Sequence, residues 1–211
     1  MNMRKLYAFM LVFVSIATSI LFAQNLHAAS ADIVISQIKV GNSSTSRLIE
    51  IFNNSSLPID ITRWCLKYSS PNNTAPFTSL GCFSNPDPAV HVFIEAKSFA
   101  LLASTQTGLL FDVELSSGLG SGTSGHVYLY DSFDSEIDRV GWGEAINAES
   151  NRPVLLNATK VIERKKDPTS GLLIDTDNNE NDFIIQQCGH NIRLDQSMKS
   201  LICAIILQIF N

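Results

Sequence analysis

Short runs of alternating apolar and polar residues, separated by turn-forming residues, restrict what this chain can fold into. Ile33–Val40 (IVISQIKV) alternates in this way, and RLIEIFN, HVYLYDS and IDRVGWG follow further along the chain. Gly, Pro, Asn, Asp and Ser separate the runs, as is usual in β-proteins. No segment before Gln186 keeps the 3.6-residue period of an amphipathic helix. The pattern predicts an all-β protein, an antiparallel two-sheet β-sandwich in which helices are minor.

The N-terminus has the pattern of an export signal. Arg4 and Lys5 precede the apolar run Leu6–Ala23, and small residues follow it. Polar residues inside the run favour a cleaved signal peptide over a membrane anchor. We therefore expect residues 1–31 to be a signal peptide and residues 32–186 to form one domain. The protein is then expected to be secreted or displayed at the cell surface.

The C-terminal residues 187–211 break the strand pattern. Their apolar run Leu201–Phe210 is shorter than the roughly 20 residues that a membrane span needs. The run is either a last buried strand or a divergent tail, and both interpretations stay open. A membrane contact is expected only through the signal peptide or through this tail.

The charge balance argues against nucleic-acid binding. The chain has 15 Lys and Arg against 20 Asp and Glu, for a formal net charge of −5. Binding to backbone phosphates requires a Lys and Arg surface that displaces counter-ions. One segment, Glu163–Asp167 (ERKKD), is locally basic, and we interpret it as a solvated strand end.

A glycine-rich loop raises the question of a nucleotide site. Gly120, Gly122 and Gly125 match G-x-G-x-x-G. A dinucleotide fingerprint requires a helix to begin at this point, because the helix N-terminus binds the pyrophosphate. The residues that follow, His126–Tyr130, have the pattern of a strand. The sequence therefore predicts a strand connector and no nucleotide ligand.

Four cysteines in a chain with an export signal predict disulfides. Cys65 and Cys82 flank a segment rich in Ser, Pro, Asn and Thr that has little apolar content to hold it in place. A bridge at the base of this segment is therefore predicted. Cys188 and Cys203 either pair with each other or stay free.

The strongest candidate for a metal site is the acidic segment IDTDNNENDF. Asp175, Asp177 and Asn179 match the first three oxygen ligands of an EF-hand calcium loop. Glu180 stands in place of the turn glycine, and Gln186 in place of the bidentate Glu. The favoured interpretation is an Asx-rich turn, with a calcium site as the alternative.

No motif of a catalytic centre accompanies these residues. His91, His126 and His190 lack the spacing of a zinc site, and Ser124 does not stand in a G-x-S-x-G sequence. The chain is therefore predicted not to be an enzyme. Apart from the calcium alternative, no cofactor is expected.

Taken in order, the strand runs resemble the lamin tail domain, which is found in exported bacterial proteins and at the end of nuclear lamins. The resemblance covers Ile33–Phe183, and Arg63 departs from it where Gly is usual before the Trp. It rests on five segments: IVISQIKVG, RLIEIFNNSSLPIDITRWCL, KSFALLAS, GLGSGTSGHVYLYDSFDSEIDRVGWG and ERKKDPTSGLLIDTDNNENDF. It implies an immunoglobulin-like β-sandwich without catalytic residues.

The resemblance also implies roles for individual residues. It supports the Cys65–Cys82 bridge, and it makes Trp64 and Trp142 the expected anchors of the core. The implied function is a non-catalytic domain that binds an extracellular protein or glycan through its loops. The alternatives are a calcium-dependent extracellular hydrolase, or an accessory module of one, and a structural module that bridges envelope components.

Overall fold

The computed structural model describes residues 32–40, 47–73, 78–104, 111–115, 123–151, 153–154 and 161–186. These residues form strands with little helix, as the alternating pattern predicts. The strands are β1 Ile33–Lys39, β2 Leu48–Asn53, β3 Ile59–Asp60, β4 Cys65–Ser69, β5 Thr78–Cys82, β6 Phe93–Ile94, β7 Phe99–Ala103, β8 Val113–Glu114, β9 Gly125–Tyr130, β10 Glu136–Trp142, β11 Val161–Arg164 and β12 Phe183–Gln186. One helix, α1 Asn179–Asp182, precedes β12, and a 3₁₀ segment spans Glu149–Asn151.

The described strands form two large sheets and a small ribbon. One sheet has the order β12-β11-β1-β2-β7-β8, the other has the order β10-β9-β4-β5, and β3 pairs with β6 in the ribbon. The strands of both sheets pair antiparallel, except that β8 runs parallel to β7. The wholly antiparallel prediction is wrong at this edge. Asp112 holds β8 there, because its carboxylate accepts a hydrogen bond from Leu101 N–H at 2.7 Å.

Apolar side chains of both sheets form the core. Ile35, Ile49 and Ile51 contribute from the larger sheet, and Val127 and Leu129 from the smaller one. These positions alternate along their strands, because successive side chains point to opposite faces. The sandwich therefore follows directly from the period of two in the sequence.

The two tryptophans differ in burial. Trp142 at the end of β10 is fully buried in the core. Trp64 is only partly buried and packs against the core from the turn that precedes β4. Arg63, the residue before it, has a φ of +64°. This turn places the Trp64 ring at the rim of the core, whereas Trp142 lies inside it.

A disulfide joins Cys65 to Cys82 with an S–S distance of 2.04 Å, which confirms the predicted pair. The two residues stand directly opposite each other on β4 and β5. Half of the intervening segment belongs to these two strands, so the bridge links a pair of antiparallel strands where an irregular loop is expected from the sequence. Cys188 and Cys203 lie outside the described residues, as do the predicted signal peptide and the C-terminal tail.

The glycine loop leads into a strand. Gly125 begins β9, and a Cβ atom at this position would lie 2.8 Å from the Tyr68 ring and 2.9 Å from the Trp142 ring. Gly125 is therefore needed for packing against these two rings. Gly120 and Gly122 lie outside the described residues. Among the residues that the structure describes, no helix is long and apolar enough to cross a membrane.

Candidate functional site

A buried ionic cluster surrounds Arg164, the last residue of β11. Its side chain is inaccessible to solvent, and Nη2 donates to Asp138 Oδ1 at 3.0 Å and Oδ2 at 2.8 Å. Nη1 donates to Asp175 Oδ1 at 3.0 Å. Although burial alone would lower it, the carboxylates of Asp138 and Asp175 hold the pKa of Arg164 above its ordinary value. The guanidinium is therefore permanently charged in the protein interior.

The cluster also supplies partners for the irregular backbone of β1. A register shift between Ile35 and Gln37 interrupts the pairing of β1 with β2. At this bulge, Ile35 N–H donates to Asp138 Oδ2 at 2.5 Å, and Ile35 O accepts from Arg164 Nε at 2.9 Å. Buried backbone groups without partners are costly, and this ion pair satisfies two of them. Because Asp138 belongs to β10 and Arg164 to β11, the same contacts join the two sheets.

Glu149 extends the cluster and holds a proton. One oxygen from each of Asp138, Glu149 and Asp175 lies within 4.8 Å of the others. Burial, followed by repulsion from Asp138, raises the pKa of Glu149 to about 9. Burial also raises the pKa of Asp175. Glu149 is therefore uncharged at neutral pH, and its carboxyl group is hydrogen-bonded to Asp138.

These three carboxyl groups do not fit a divalent cation. A calcium site requires six to eight oxygen ligands around an open centre. Here the Arg164 guanidinium already supplies a positive charge beside Asp138 and Asp175, and it is hydrogen-bonded to both. A second cation beside it would be repelled, and Glu149 would first have to lose its proton. The arrangement therefore works as an internal brace between the sheets.

Asn179, a predicted calcium ligand, has a different role in the structure. Its Oδ1 accepts from Gly141 N–H at 2.7 Å, and its Nδ2 donates to Arg139 O at 3.0 Å. The side-chain amide therefore bonds to the outer edge of β10 as a neighbouring strand would, next to Val154, which bonds to Gly141 and Gly143 on the same edge. Nδ2 also donates to Glu149 Oε2 at 2.6 Å, which connects this edge to the ionic cluster.

The other two predicted ligands lie in different environments. Asp175 belongs to the ionic cluster, whereas Asp177 is exposed with a φ of +53°. The carbonyl oxygen of Asp177 accepts from Ser150 Oγ at 2.6 Å. Next to it, the Asn178 side chain caps helix α1 by accepting from Asn181 N–H. The segment thus has the side-chain-to-backbone bonds that the Asx-turn interpretation predicts.

Sequence reasoning missed the centre of this cluster. The prediction of a solvated strand end over Glu163–Asp167 is wrong at Arg164, which is 2% exposed. Its partner Asp138 lies within the IDRVGWG run, and 26 positions separate the two. Neither strand marks its buried charge in the local sequence, because β11 (VIER) and β10 (EIDRVGW) both contain further charged residues.

A second candidate site lies at one end of the sandwich, which we call the disulfide end. It comprises the Cys65–Cys82 bridge, the β3–β6 ribbon with its flanking residues 54–64 and 83–97, and the β9–β10 turn 131–135. Cys65 pairs with Cys82 on one side and with Tyr130, the last residue of β9, on the other. The ribbon joins the same end through the hydrogen bond from Arg63 N–H to Phe83 O at 2.7 Å.

The ribbon has one face towards the core and one towards solvent. Ile59 and Ile94 stand opposite each other, with Ile94 buried and Ile59 packed against the core. The alternate positions His91, Phe93 and Glu95 are exposed. The His91 and Phe93 rings stack with centroids 6.2 Å apart. An aromatic pair is therefore presented to solvent on a backbone that the core holds in place.

Large apolar side chains are exposed across this end. Among the described residues they are Leu57 at 69%, Val90 at 44%, Phe93 at 54% and Phe133 at 87% exposed. Phe133 stands in a well-ordered turn, because Asp131 Oδ1 accepts from both Phe133 N–H and Ser135 N–H at 2.8 Å. Several apolar side chains exposed at one end of a domain favour an interaction site, whereas single exposed residues are ordinary.

Carboxylates surround these apolar side chains. The segments 54–64, 83–97 and 131–135 contain the acidic residues Asp60, Asp87, Glu95, Asp131 and Asp134, against the basic residues Arg63 and Lys97. The Lys97 ammonium group donates to the Asn54 carbonyl oxygen. Although burial raises it, hydrogen bonds from Thr62 and then His91 hold the pKa of Asp60 below its ordinary value. Lys67 of β4 pairs with Asp134, so five carboxylates stand against three basic side chains, and the disulfide end is apolar with an acidic rim.

The fold and these contacts define a β-sandwich module that uses its polar interior to join two sheets. Comparison with protein families matches the Lamin Tail Domain over residues 27–144, more than half of the chain. The chain belongs to the lamin tail domain family, as the resemblance in sequence predicts. A search of curated proteins finds no match. The matched range contains the whole disulfide end but stops before Glu149, Arg164 and Asp175.

Proposed function

We propose that this chain is a non-catalytic binding module, secreted or displayed at the cell surface, that recognises an extracellular protein or glycan through its disulfide end. The observation that carries the proposal is the group of exposed apolar side chains at this end, among them Phe93 and Phe133. Loops at one end of a rigid sandwich are common positions for recognition, because the scaffold keeps them in place at little entropic cost.

The bracing of this end supports the proposal. The Cys65–Cys82 bridge lies between Tyr130 and the segment that leads from Phe83 to the ribbon. Asn53 Nδ2 fixes the other side of the ribbon, donating to Leu57 O at 2.8 Å and Ile94 O at 3.0 Å. A binding surface that is ordered before the partner arrives loses less conformational entropy on association.

The ionic cluster supports a non-catalytic function. Its carboxyl groups face Arg164 and backbone amides, so the bonds they make hold the sheets together. A calcium-dependent hydrolase would need these oxygens to converge on a cation, and the guanidinium fills that position. Envelope bridging through the apolar tail concerns residues outside the described part of the chain.

The test measures whether the purified chain binds to a cell-envelope fraction. A Phe93→Ser, Phe133→Ser double variant is compared with Ile146→Ser, because Ile146 is also exposed but lies beside Pro71 at the opposite end of the smaller sheet. We expect the double variant to lose most of the bound fraction and the control to retain it. Equal binding by all three proteins, at equal thermal stability, would refute the assignment of the disulfide end.

A further inference from the structure

We propose that the partner of the disulfide end is a protein segment in which Lys or Arg side chains flank an apolar residue. This inference rests on the proposed function and adds the chemistry of the partner. The surface is a set of exposed apolar side chains, Leu57, Val90, Phe93 and Phe133, with an excess of carboxylates around them. An occupant has to satisfy both features.

The apolar contact is provided by the ribbon and the hairpin turn. Phe93 stands on a strand whose other face packs into the core, so its ring is presented on the solvent face. An apolar side chain laid on this ring gains roughly 25 cal/mol for each Å² of apolar surface removed from water. The exposed His91 ring, stacked on Phe93, extends the flat surface on one side.

The carboxylates of the disulfide end favour a partner with cationic residues on either side of its apolar residue. Asp60 stands opposite Phe93 across the ribbon, and Glu95 follows two positions after Phe93 on the same face. Asp60 already pairs with His91 Nδ1 at 2.5 Å, and a Lys or Arg beside the apolar residue of the partner would meet either this shared carboxylate or that of Glu95. Its aliphatic stem would cover the ring while the charged group reaches the rim. Electrostatic complementarity of this kind raises association rates and excludes partners of the wrong charge.

The same charges disfavour other occupants. Two copies of the chain docked through this end would bring their carboxylate rims together, and the formal net charge of −5 adds to that repulsion. An anionic membrane surface would be repelled in the same way, since it attracts basic segments. A neutral glycan could stack on Phe93 but would gain nothing from the carboxylate excess.

The experiment uses two defined peptides. The full chain is titrated into a fluorescein-labelled peptide, Gly-Lys-Leu-Lys-Phe-Lys-Leu-Gly, and into a matched peptide with Glu in place of Lys, and anisotropy is measured. We expect the Lys peptide to bind about tenfold tighter or better, and its affinity to fall as sodium chloride is raised. Equal affinity for both peptides, or a neutral oligosaccharide that displaces the Lys peptide completely, would overturn the proposal.

Variants of the chain separate the apolar contribution to binding of the Lys peptide from the ionic contribution. Phe93→Ser is expected to weaken binding of the Lys peptide at every salt concentration. Asp60→Asn combined with Glu95→Gln should weaken it at low salt and remove most of its salt dependence. Ile146→Ser serves as the control and should change neither. If the carboxylate variant left the salt dependence intact, the assignment of the cationic contact would be wrong.

The envelope assay distinguishes failure of this inference from failure of the proposed function. Loss of envelope binding in the Phe93→Ser, Phe133→Ser variant, without preference for the Lys peptide, would keep the binding function and overturn the partner chemistry. Retained envelope binding in that variant would overturn both. Sedimentation of the unmodified chain alone completes the test, because self-association through Phe93 would contradict the charge argument.

Discussion

Glu149 gives the most quantitative prediction from this structure. Burial and the neighbouring Asp138 raise its pKa from an ordinary 4.5 to about 9. Between these two values the folded chain binds a proton that the unfolded chain has lost. The contribution of Glu149 to stability is therefore full below pH 4.5 and is lost as the pH rises through about 9.

The size of the effect follows from one proton. The free energy of unfolding falls by about 1.4 kcal/mol per pH unit wherever the folded state holds one more proton than the unfolded state. Glu149→Gln keeps the shape of the protonated side chain, and its amide can still accept from Asn179 Nδ2 and donate to Asp138. The variant should therefore gain stability relative to the unmodified chain by up to about 2.7 kcal/mol between pH 6 and pH 8.

Urea unfolding at pH 5, 6, 7, 8 and 9, with the disulfide intact, measures this difference. Glu144→Gln is the matched control, because Glu144 is exposed in the same loop. The free-energy difference between Glu149→Gln and the unmodified chain should widen steadily with pH, while that of the control stays flat. Some pH dependence should remain in Glu149→Gln, since burial also raises the pKa of Asp175.

A parallel pH dependence in Glu149→Gln and the unmodified chain would refute this reasoning. It would mean that Glu149 is ionised in the folded state, with its carboxylate stabilised by Arg164. In that case a cation could enter the cluster more readily than the structure indicates. Stability measured with and without calcium at pH 8 would then be expected to differ, whereas we expect the two curves to coincide.

Three further predictions concern the braces of the fold. Arg164→Met should lower the free energy of unfolding by about 3–5 kcal/mol, because it leaves buried carboxylates without a counter-ion; a loss below 1 kcal/mol by urea unfolding would contradict the buried ion pair. Asn179→Ala should cost about 1–3 kcal/mol and speed hydrogen exchange at the Gly141 amide, and unchanged exchange there would exclude the edge contact. Replacing Cys65 and Cys82 by Ser should cost about 2–4 kcal/mol, checked by thermal unfolding against the oxidised chain; equal midpoints would show that the bridge adds nothing.

The fold was predictable because its signals are local. Alternation over Ile33–Lys39 specifies a strand with one apolar face, and this needs no knowledge of what packs against it. The strand after Gly125 was indicated by the aromatic and β-branched residues that follow it. The Cys65–Cys82 pair was inferred from the composition of one segment. In each case the deciding residues lie within one short segment of the chain.

The ionic cluster was not predictable, because its partners are distant in sequence. Ile35 N–H and its acceptor on Asp138 are 103 positions apart. Nothing near Arg164 in the sequence shows that a β-bulge requires a donor there, so a basic run was interpreted as solvated. The acidic segment was recognised as unusual, but the backbone edge that Asn179 covers belongs to β10, 38 and 40 positions earlier.

The exposed surface of the disulfide end was not predictable from the sequence for a different reason. In the sequence, Val90–Ser104 is one longer apolar stretch, and its composition alone does not show which of its residues are exposed. In the structure, the turn at Lys97, with a φ of +56°, divides it into β6 and β7. β7 is buried, whereas the short β6 exposes Phe93. Exposure therefore depends on strand length and on the ribbon partner, which the sequence pattern does not encode.

The two sites together show how pairing between copies of this chain would be disfavoured. An exposed strand edge can pair with a strand of another chain, and an exposed apolar patch promotes association between proteins. Asn179 bonds to the backbone of edge strand β10 between Arg139 and Gly141, so this part of the edge is closed. The carboxylates around Phe93 repel a second copy of the same surface. Under the proposed function, the surface that remains accessible at the disulfide end favours a partner of opposite charge.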